Sequence, residues 1–300
     1  VDPGEARVSN QSGDSTGRAA RGTLFVVATP IGNLQDLAPR AAACLRDVDL
    51  LLAEDTRHTR GLLDACGIAR RGAVESLHEH NERERVPALV ARLQAGETMA
   101  LVSDAGTPLL SDPGALLVAA AARAGIDVVA VPGPCAAIAA LSIAALPTHR
   151  FVFEGFLPAK AGARREALRQ LAHERRTLVF YEAPHRLCES LGDMAEALGA
   201  QREAAVAREL TKHFETVHRG TLGELGERSA SEAVMTRGEI VVVVAGACDD
   251  DTAARADEAR RLLQVLLQEL PVSQAVRIAA QVTGARRKPL YELALELAGN

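Results

Sequence analysis

From Thr23 to Val131, short apolar runs of strand length alternate with segments of helical period, and no other feature constrains the fold as strongly. The expected strands are Leu24–Ala28, Leu50–Ala53, Ala73–Leu77, Thr98–Val102 and Val128–Val131. Helices are expected at Pro39–Arg46, Thr56–Cys66, Glu82–Gln94 and Gly114–Arg123. Alternation at this spacing demands right-handed βαβ crossovers and a mainly parallel sheet. Such a sheet is covered on both faces, so its strands read as continuous apolar runs. The composition agrees: 48% of residues are hydrophobic but only 3% aromatic, which leaves the packing to Val, Leu and Ala.

After Pro147 the pattern changes. Strands are expected at Phe151–Phe153, Thr177–Tyr181, Ala204–Arg208, Thr216–Arg219 and Glu239–Ala245, with helices near Arg164–His173, Leu187–Leu198 and Leu222–Arg228. Two strands in succession without a helix imply antiparallel pairing, hence a second, mixed α/β domain. The chain is therefore expected to divide into a disordered tail over residues 1–22, domains over 23–147 and 148–247, a linker over 248–253 and a helical unit over 254–300. The tail carries too few large apolar side chains to offset the entropy of ordering it. In the helical unit, Ala254–Leu270 is one helix, Ser273 caps Gln274–Val282, Gly284 ends that helix and Lys288–Leu297 is the last. The spacing is that of a helix-turn-helix with Arg286, Arg287 and Lys288 in the turn. Those cations suit either RNA docking or the solvated face of a helical cap.

Charge and cysteine usage exclude some classes. The net charge of −5 carries no global nucleic-acid signature, although a local basic surface can serve. The five cysteines are dispersed without a CxxC pair, as expected of reduced thiols in a cytoplasmic protein. His78 and His80 on a strand would share one face, yet no third ligand is evident, so no metal is expected. No apolar run has the length of a membrane span and no segment resembles a secretion signal, so no membrane partner is expected.

The chemistry is expected at strand ends. Three loops rich in small and turn-forming residues follow apolar strands: Thr29–Leu34, Ser103–Leu109 and Pro132–Ala137. Loops leaving the carboxyl edge of an open α/β sheet bind ligands there, although tight turns have the same composition. Asp104 is the sharpest residue among them, a carboxylate able to accept from a ribose diol or an amino group. After the first strand the chain has neither GxGxxG nor GxxxxGK[ST], which argues against NAD(P), FAD and nucleoside triphosphates. A ligand with few or no phosphates fits better. Polar clusters at Glu54–Arg60, Tyr181–Arg186 and Arg208–His213 also end strands, as a substrate rim or as ordinary solvated loops.

TPIGNL (29–34), EDTRHT (54–59), SDAGTP (103–108), VPGPCA (131–136), YEAPHR (181–186) and RELTKHFE (208–215), in this order and spacing, resemble the tetrapyrrole methylase family. The resemblance covers about Gly22–Ala247 and extends into the C-terminal helices. It implies the two-domain α/β fold of that family (class III methyltransferase), here with a small helical domain appended, and usually a homodimer. It implies S-adenosylmethionine as cofactor, in the trough between domains, contacted by Pro30, Asp104, Gly106, Thr107, Cys135, Ala136, Tyr181 and Ala245. Cys135 stands where family members often have Ser, so a backbone contact is implied there. Within the family the likeness is to enzymes that methylate the 2′-hydroxyl of a cytidine in small-subunit (16S) ribosomal RNA. For that reaction Glu182 or His185 is the candidate base, Arg57 or Lys212 the electrostatic support, and Arg286, Arg287 and Lys288 the RNA contacts. The alternatives are methylation of a tetrapyrrole precursor and a non-catalytic RNA-binding or assembly protein on a methylase fold.

Overall fold

The computed structural model describes residues 22–70, 72–247, 251–285 and 287–298 and, of residues 251–258 and 298, the backbone only. The first domain runs β1 (Thr23–Val27), α1 (Pro39–Asp47), β2 (Leu50–Ala53), α2 (Thr56–Ala65), β3 (Ala73–Ser76), α3 (Glu79–Gln94), β4 (Met99–Val102), α4 (Ala115–Arg123) and β5 (Asp127–Val131). Its five strands form one all-parallel sheet in the order β3-β2-β4-β1-β5. Leu45 of α1 and Leu63 of α2 pack on Val27, Leu51 and Val102 on one face. Leu89 and Leu93 of α3 and Leu117 of α4 pack on Leu24, Leu52 and Leu101 on the other. Burial from both sides is why these strands are apolar at successive positions.

The carboxylate of Glu82, buried within α3, accepts from the amides of Leu116 (2.8 Å) and Leu117 (3.1 Å). A negative charge on the first turn of α4 satisfies donors that the helix cannot pair itself and opposes its dipole. It thereby anchors the far end of the loop that leaves β4.

α5 (Ala136–Ile143) leads into the second domain, which runs β6 (Phe151–Phe156), α6 (Ala161–Gln170), β7 (Thr177–Glu182), α7 (Leu187–Leu198), β8 (Glu203–Arg208), β9 (Thr216–Thr221), α8 (Leu222–Ser231) and β10 (Ile240–Val244). The sheet order is β6-β7-β10-β8-β9; β6 and β7 are parallel and the remaining pairs antiparallel. Phe180, Val206 and Val242 point to the core under α7 and α8. The alternate positions Val179, Ala205, Ala207, Val241 and Val243 pack against Ala137, Ala140 and Leu141 of α5. The joint between domains is thus an Ala-rich helix on a sheet face of small residues, a pairing that allows close approach.

The helical unit comprises α9 (Asp251–Leu266), α10 (Val272–Thr283) and α11 (Arg287–Ala298) around Leu263, Val276, Ala279, Leu290 and Ala294. Several expectations are corrected. His78 is the N-cap residue of α3 and His80 lies inside that helix, not on a strand. Pro271, whose fixed φ suits the position, is the N-cap of α10, so Ser273 lies within the helix. Arg287 and Lys288 open α11 instead of lying in the turn, and α9 begins at Asp251, inside the expected linker. The expected tail lies outside the described residues except Gly22, whose amide donates to Leu93 O (2.8 Å) and which therefore belongs to the fold. Residues 248–250 of the linker also lie outside them. Among the described residues no helix is long and apolar enough to cross a membrane.

Replacing Glu82 with Ala leaves two amides of α4 without an acceptor. The expected loss is about 1–3 kcal/mol of stability, read from urea unfolding, with a smaller loss for Glu82→Gln.

Candidate functional site

Four loops leave the carboxyl edge of the parallel sheet and are tied to one another. Thr29 and Gly106 exchange two backbone hydrogen bonds, 2.9 Å from Thr29 N to Gly106 O and 3.1 Å in return, which joins the loop after β1 to the loop after β4. Thr107 Oγ1 donates to Pro134 O (3.0 Å) and adds the loop after β5. Asp55 N donates to Asp104 Oδ1 (3.1 Å) and adds the segment after β2. Gly106 has φ +81°, and a Cβ there would stand 3.2 Å from Ile31 Cγ2, so both the bridge and the cavity floor require glycine.

The second domain supplies the opposite wall. The carboxyl ends of β7 and β8 meet the amino end of β10 at one sheet edge, where Ile240 pairs with both Glu182 and Arg208. The loop after β8 closes on the loop after β1: Asn33 N donates to Thr211 Oγ1 (3.1 Å). A Cβ on Gly32 would lie 2.4 Å from Lys212 Cγ, so the two segments touch only because residue 32 lacks a side chain. Between the walls is a cavity of about 380 Å³, within the range of small-molecule sites. Ile31, Asp104–Thr107, Leu110–Asp112 and Ala136 line it from the first domain. Phe156, Tyr181–Pro184, Leu210 and Gly238–Val241 line it from the second.

The lining includes four carboxylates, Asp104, Asp112, Glu182 and Glu239, and no Lys, Arg or His. Asp112 is half-buried; burial pushes its carboxyl above the usual range, a hydrogen bond from Ser103 opposes this, and the charge of Asp104 adds to the rise. Glu54, just behind, is raised by burial and by the charges of Asp112 and Asp104. The Tyr181 hydroxyl is pushed well up, chiefly by burial, and its ring meets Phe153 and Phe156 edge-on at 4.9 and 5.6 Å. Arg186 and Lys212 pair with Glu182 and Glu239, while the charges of Asp104 and Asp112 still favour a ligand that is cationic at its centre over a phosphate. S-adenosylmethionine, with a sulfonium, an ammonium and an adenosine but no phosphate, fits that donor set. Asp104, Gly106, Thr107, Ala136 and Tyr181, expected from the resemblance to contact it, all line this cavity.

The remaining sequence-derived residues are placed differently from one another. Pro30 is buried beside the cavity and Ile31 faces it instead. Cys135 is the N-cap residue of α5, with its thiol toward Tyr181. Ala245 follows the far end of β10, its amide on Glu203 O (2.8 Å); the cavity meets the amino end, at Gly238–Val241. Glu182 lines the cavity, but its Oε1 accepts from Ala183 N (2.8 Å) and pairs with the Arg186 guanidinium (3.1 Å), which also reaches Oε2 (3.5 Å). His185 is exposed and outside the lining. The Arg57 side chain is 86% exposed and paired with Asp55, the N-cap of α2, whose carboxyl it holds well below the usual range. Lys212 is clamped between Glu209 (3.0 Å) and Glu239 (3.1 Å); burial disfavours its charge, but these two carboxylates outweigh that and raise its pKa. Arg287 and Lys288 are exposed, and Arg286 lies outside the described residues. Sequence reasoning missed Asp112, which reads as part of the SDPG turn. Among the described residues no cluster of three His, Cys, Asp or Glu could hold a metal ion.

Residues 23–226 match the model of the tetrapyrrole (corrin/porphyrin) methylases, and residues 253–298 match that of the RsmI C-terminal HTH domain. The chain is 57% identical over 270 residues to ribosomal RNA small subunit methyltransferase I of Xylella fastidiosa, covering 90% of this chain and 98% of the relative. It is 54% identical over 279 residues to the protein of the same name in Pseudomonas aeruginosa, covering 93% and 98%. Uroporphyrin-III C-methyl transferase from Thermus thermophilus, solved in complex with S-adenyl homocysteine, shares the fold at a TM-score of 0.53 and 18% identity over 75% of this chain and 97% of that one. With two stitched domains around one acidic trough and a family match over most of its length, this chain belongs to the tetrapyrrole methylase family.

Proposed function

We propose that this chain transfers the methyl group of S-adenosylmethionine to the 2′-hydroxyl of a cytidine in small-subunit (16S) ribosomal RNA, acting in the cytoplasm as a homodimer. The observation that carries the reading is the cavity at the strand ends, lined by four carboxylates without a cationic side chain. The name of the relatives, similar over at least nine-tenths of this chain, supports the RNA substrate. A three-helix unit with Arg287 and Lys288 exposed at the start of α11 supports it too, since a small macrocycle needs no such arm. Labelled S-adenosylmethionine incubated with small subunits lacking the modification tests it. Label recovered in 2′-O-methylcytidine is expected; label on a base, or none, contradicts it.

Bound S-adenosylmethionine supplies an electrophilic methyl on a sulfonium. The protein's task is to hold the hydroxyl in line with it and take its proton. Neither Glu182 nor His185 suits that role, one being committed to Arg186 and Ala183, the other lying outside the cavity. Asp112 suits it better: it faces the cavity, and burial with the charge of Asp104 makes it a stronger base than an ordinary aspartate. Lys212 keeps Glu239 and Glu209 in place and thereby shapes the wall.

Asp112→Asn is expected to lower single-turnover methyl transfer, measured at saturating S-adenosylmethionine, by roughly 10²- to 10⁴-fold. Because the raised carboxyl must be ionised to accept a proton, the wild-type rate rises with pH through a limb above the usual Asp range, and the variant lacks that limb. Reversing both cations, Arg287→Glu with Lys288→Glu, raises KM for small subunits and flattens its salt dependence without changing kcat.

A further inference from the structure

Aromatic residues make up only 3% of this chain, yet Phe214 stands 66% exposed on the loop after β8. The backbone that carries the ring is pinned on both sides. The buried Arg208 guanidinium donates to Thr216 Oγ1 (3.1 Å), to Phe214 O (2.9 Å) and to Arg237 O (3.4 Å). Glu209 and Thr211 are held at φ +54° and +63°, a region that residues with a side chain rarely occupy. They are kept there by Glu239 N on Glu209 Oε1 (3.0 Å) and by Asn33 N on Thr211 Oγ1 (3.1 Å), so both domains fix the loop. The Phe214 ring meets the neighbouring His213 ring edge-on, centroids 4.8 Å apart, and is otherwise largely exposed.

The same guanidinium sets Arg237 beside Phe214, since it binds both carbonyls. Arg237 is exposed, and among the described residues its side chain has no hydrogen-bond or ion-pair partner. It directly precedes Gly238–Val241, the cavity wall. Inside that wall the carboxylates repel phosphate, so an RNA chain reaching the cavity has to be gripped by its backbone at the rim. Single-stranded RNA is recognised by stacking unpaired bases on aromatic rings and pairing phosphates with cations.

We infer that Phe214 and Arg237 form a rim site for one unpaired nucleotide flanking the target, its base stacked on Phe214 and its phosphate on Arg237. The inference rests on the RNA substrate proposed above and adds where that substrate is held.

The test is fluorescence anisotropy of the full-length protein with a labelled, unstructured oligoribonucleotide. Phe214→Ala is expected to weaken binding roughly tenfold or more, the range of base–aromatic stacking. Phe214→Trp retains affinity, whereas Phe214→Leu, apolar but unable to stack, is as weak as Ala. Arg237→Ala weakens binding and lowers the slope of log affinity against log salt by about one. Calorimetric affinity for S-adenosylmethionine and the association state in sedimentation stay as in wild type. The inference is overturned if Phe214→Ala or Phe214→Leu binds the oligoribonucleotide like wild type. It is also overturned if Phe214→Ala changes only the association state, which would make the ring a contact between copies. Methylation of small subunits by the wild-type protein reports on the proposed function separately: its absence alongside ring-dependent binding would sink that function and leave the rim site standing.

Discussion

Two backbone hydrogen bonds between Thr29 and Gly106 hold the candidate site together. They join loops from adjacent strands of a parallel sheet, where no ladder continues beyond the strand ends to fix them. A bridge at that point converts two separate turns into one surface, and Thr107 on Pro134 and Asp55 on Asp104 extend it to four loops. The geometry depends on a left-handed residue 106 packed against Ile31, which only glycine provides without strain.

Once those loops are joined, the second domain has one way to close on them. The Ala-rich α5 packs on the small-residue face of the second sheet, and the loop after β8 abuts Gly32. The trough is consequently narrow, and its acidic lining sorts ligands by charge: a sulfonium-bearing cofactor is favoured inside, while phosphates are left to the rim. The chain's net charge of −5 is compatible with the proposed RNA substrate, because local cations can serve, and Arg237 beside the trough and Arg287 and Lys288 on α11 are exposed.

The fold class was legible because continuous apolar runs such as Leu50–Ala53 and Ile240–Val244 survive only in strands buried on both faces. The loops around Asp104 and Ala136 were legible for a related reason, since the carboxyl edge of a parallel sheet is where ligands meet backbone. Ala245, implied by the family resemblance, does not line the cavity. β10 runs antiparallel to its neighbours, so its amino end, Gly238–Val241, reaches the cavity instead. Glu182 and Lys212 were visible as polar residues at strand ends, but their partners Arg186, Glu209 and Glu239 become apparent only when the chain is folded. Asp112 was hidden in a turn sequence, and its altered basicity comes from burial, from Ser103 and from Asp104, eight or more positions earlier in the chain.

The central claim is that the cavity floored by Gly106 seats the cofactor. Titrating S-adenosylhomocysteine calorimetrically into wild type and Gly106→Val, with far-UV circular dichroism to establish that the variant keeps its α/β signal, tests it most directly. Wild type is expected to bind stoichiometrically and the folded variant to lose binding; equal affinity in the two proteins would contradict the account.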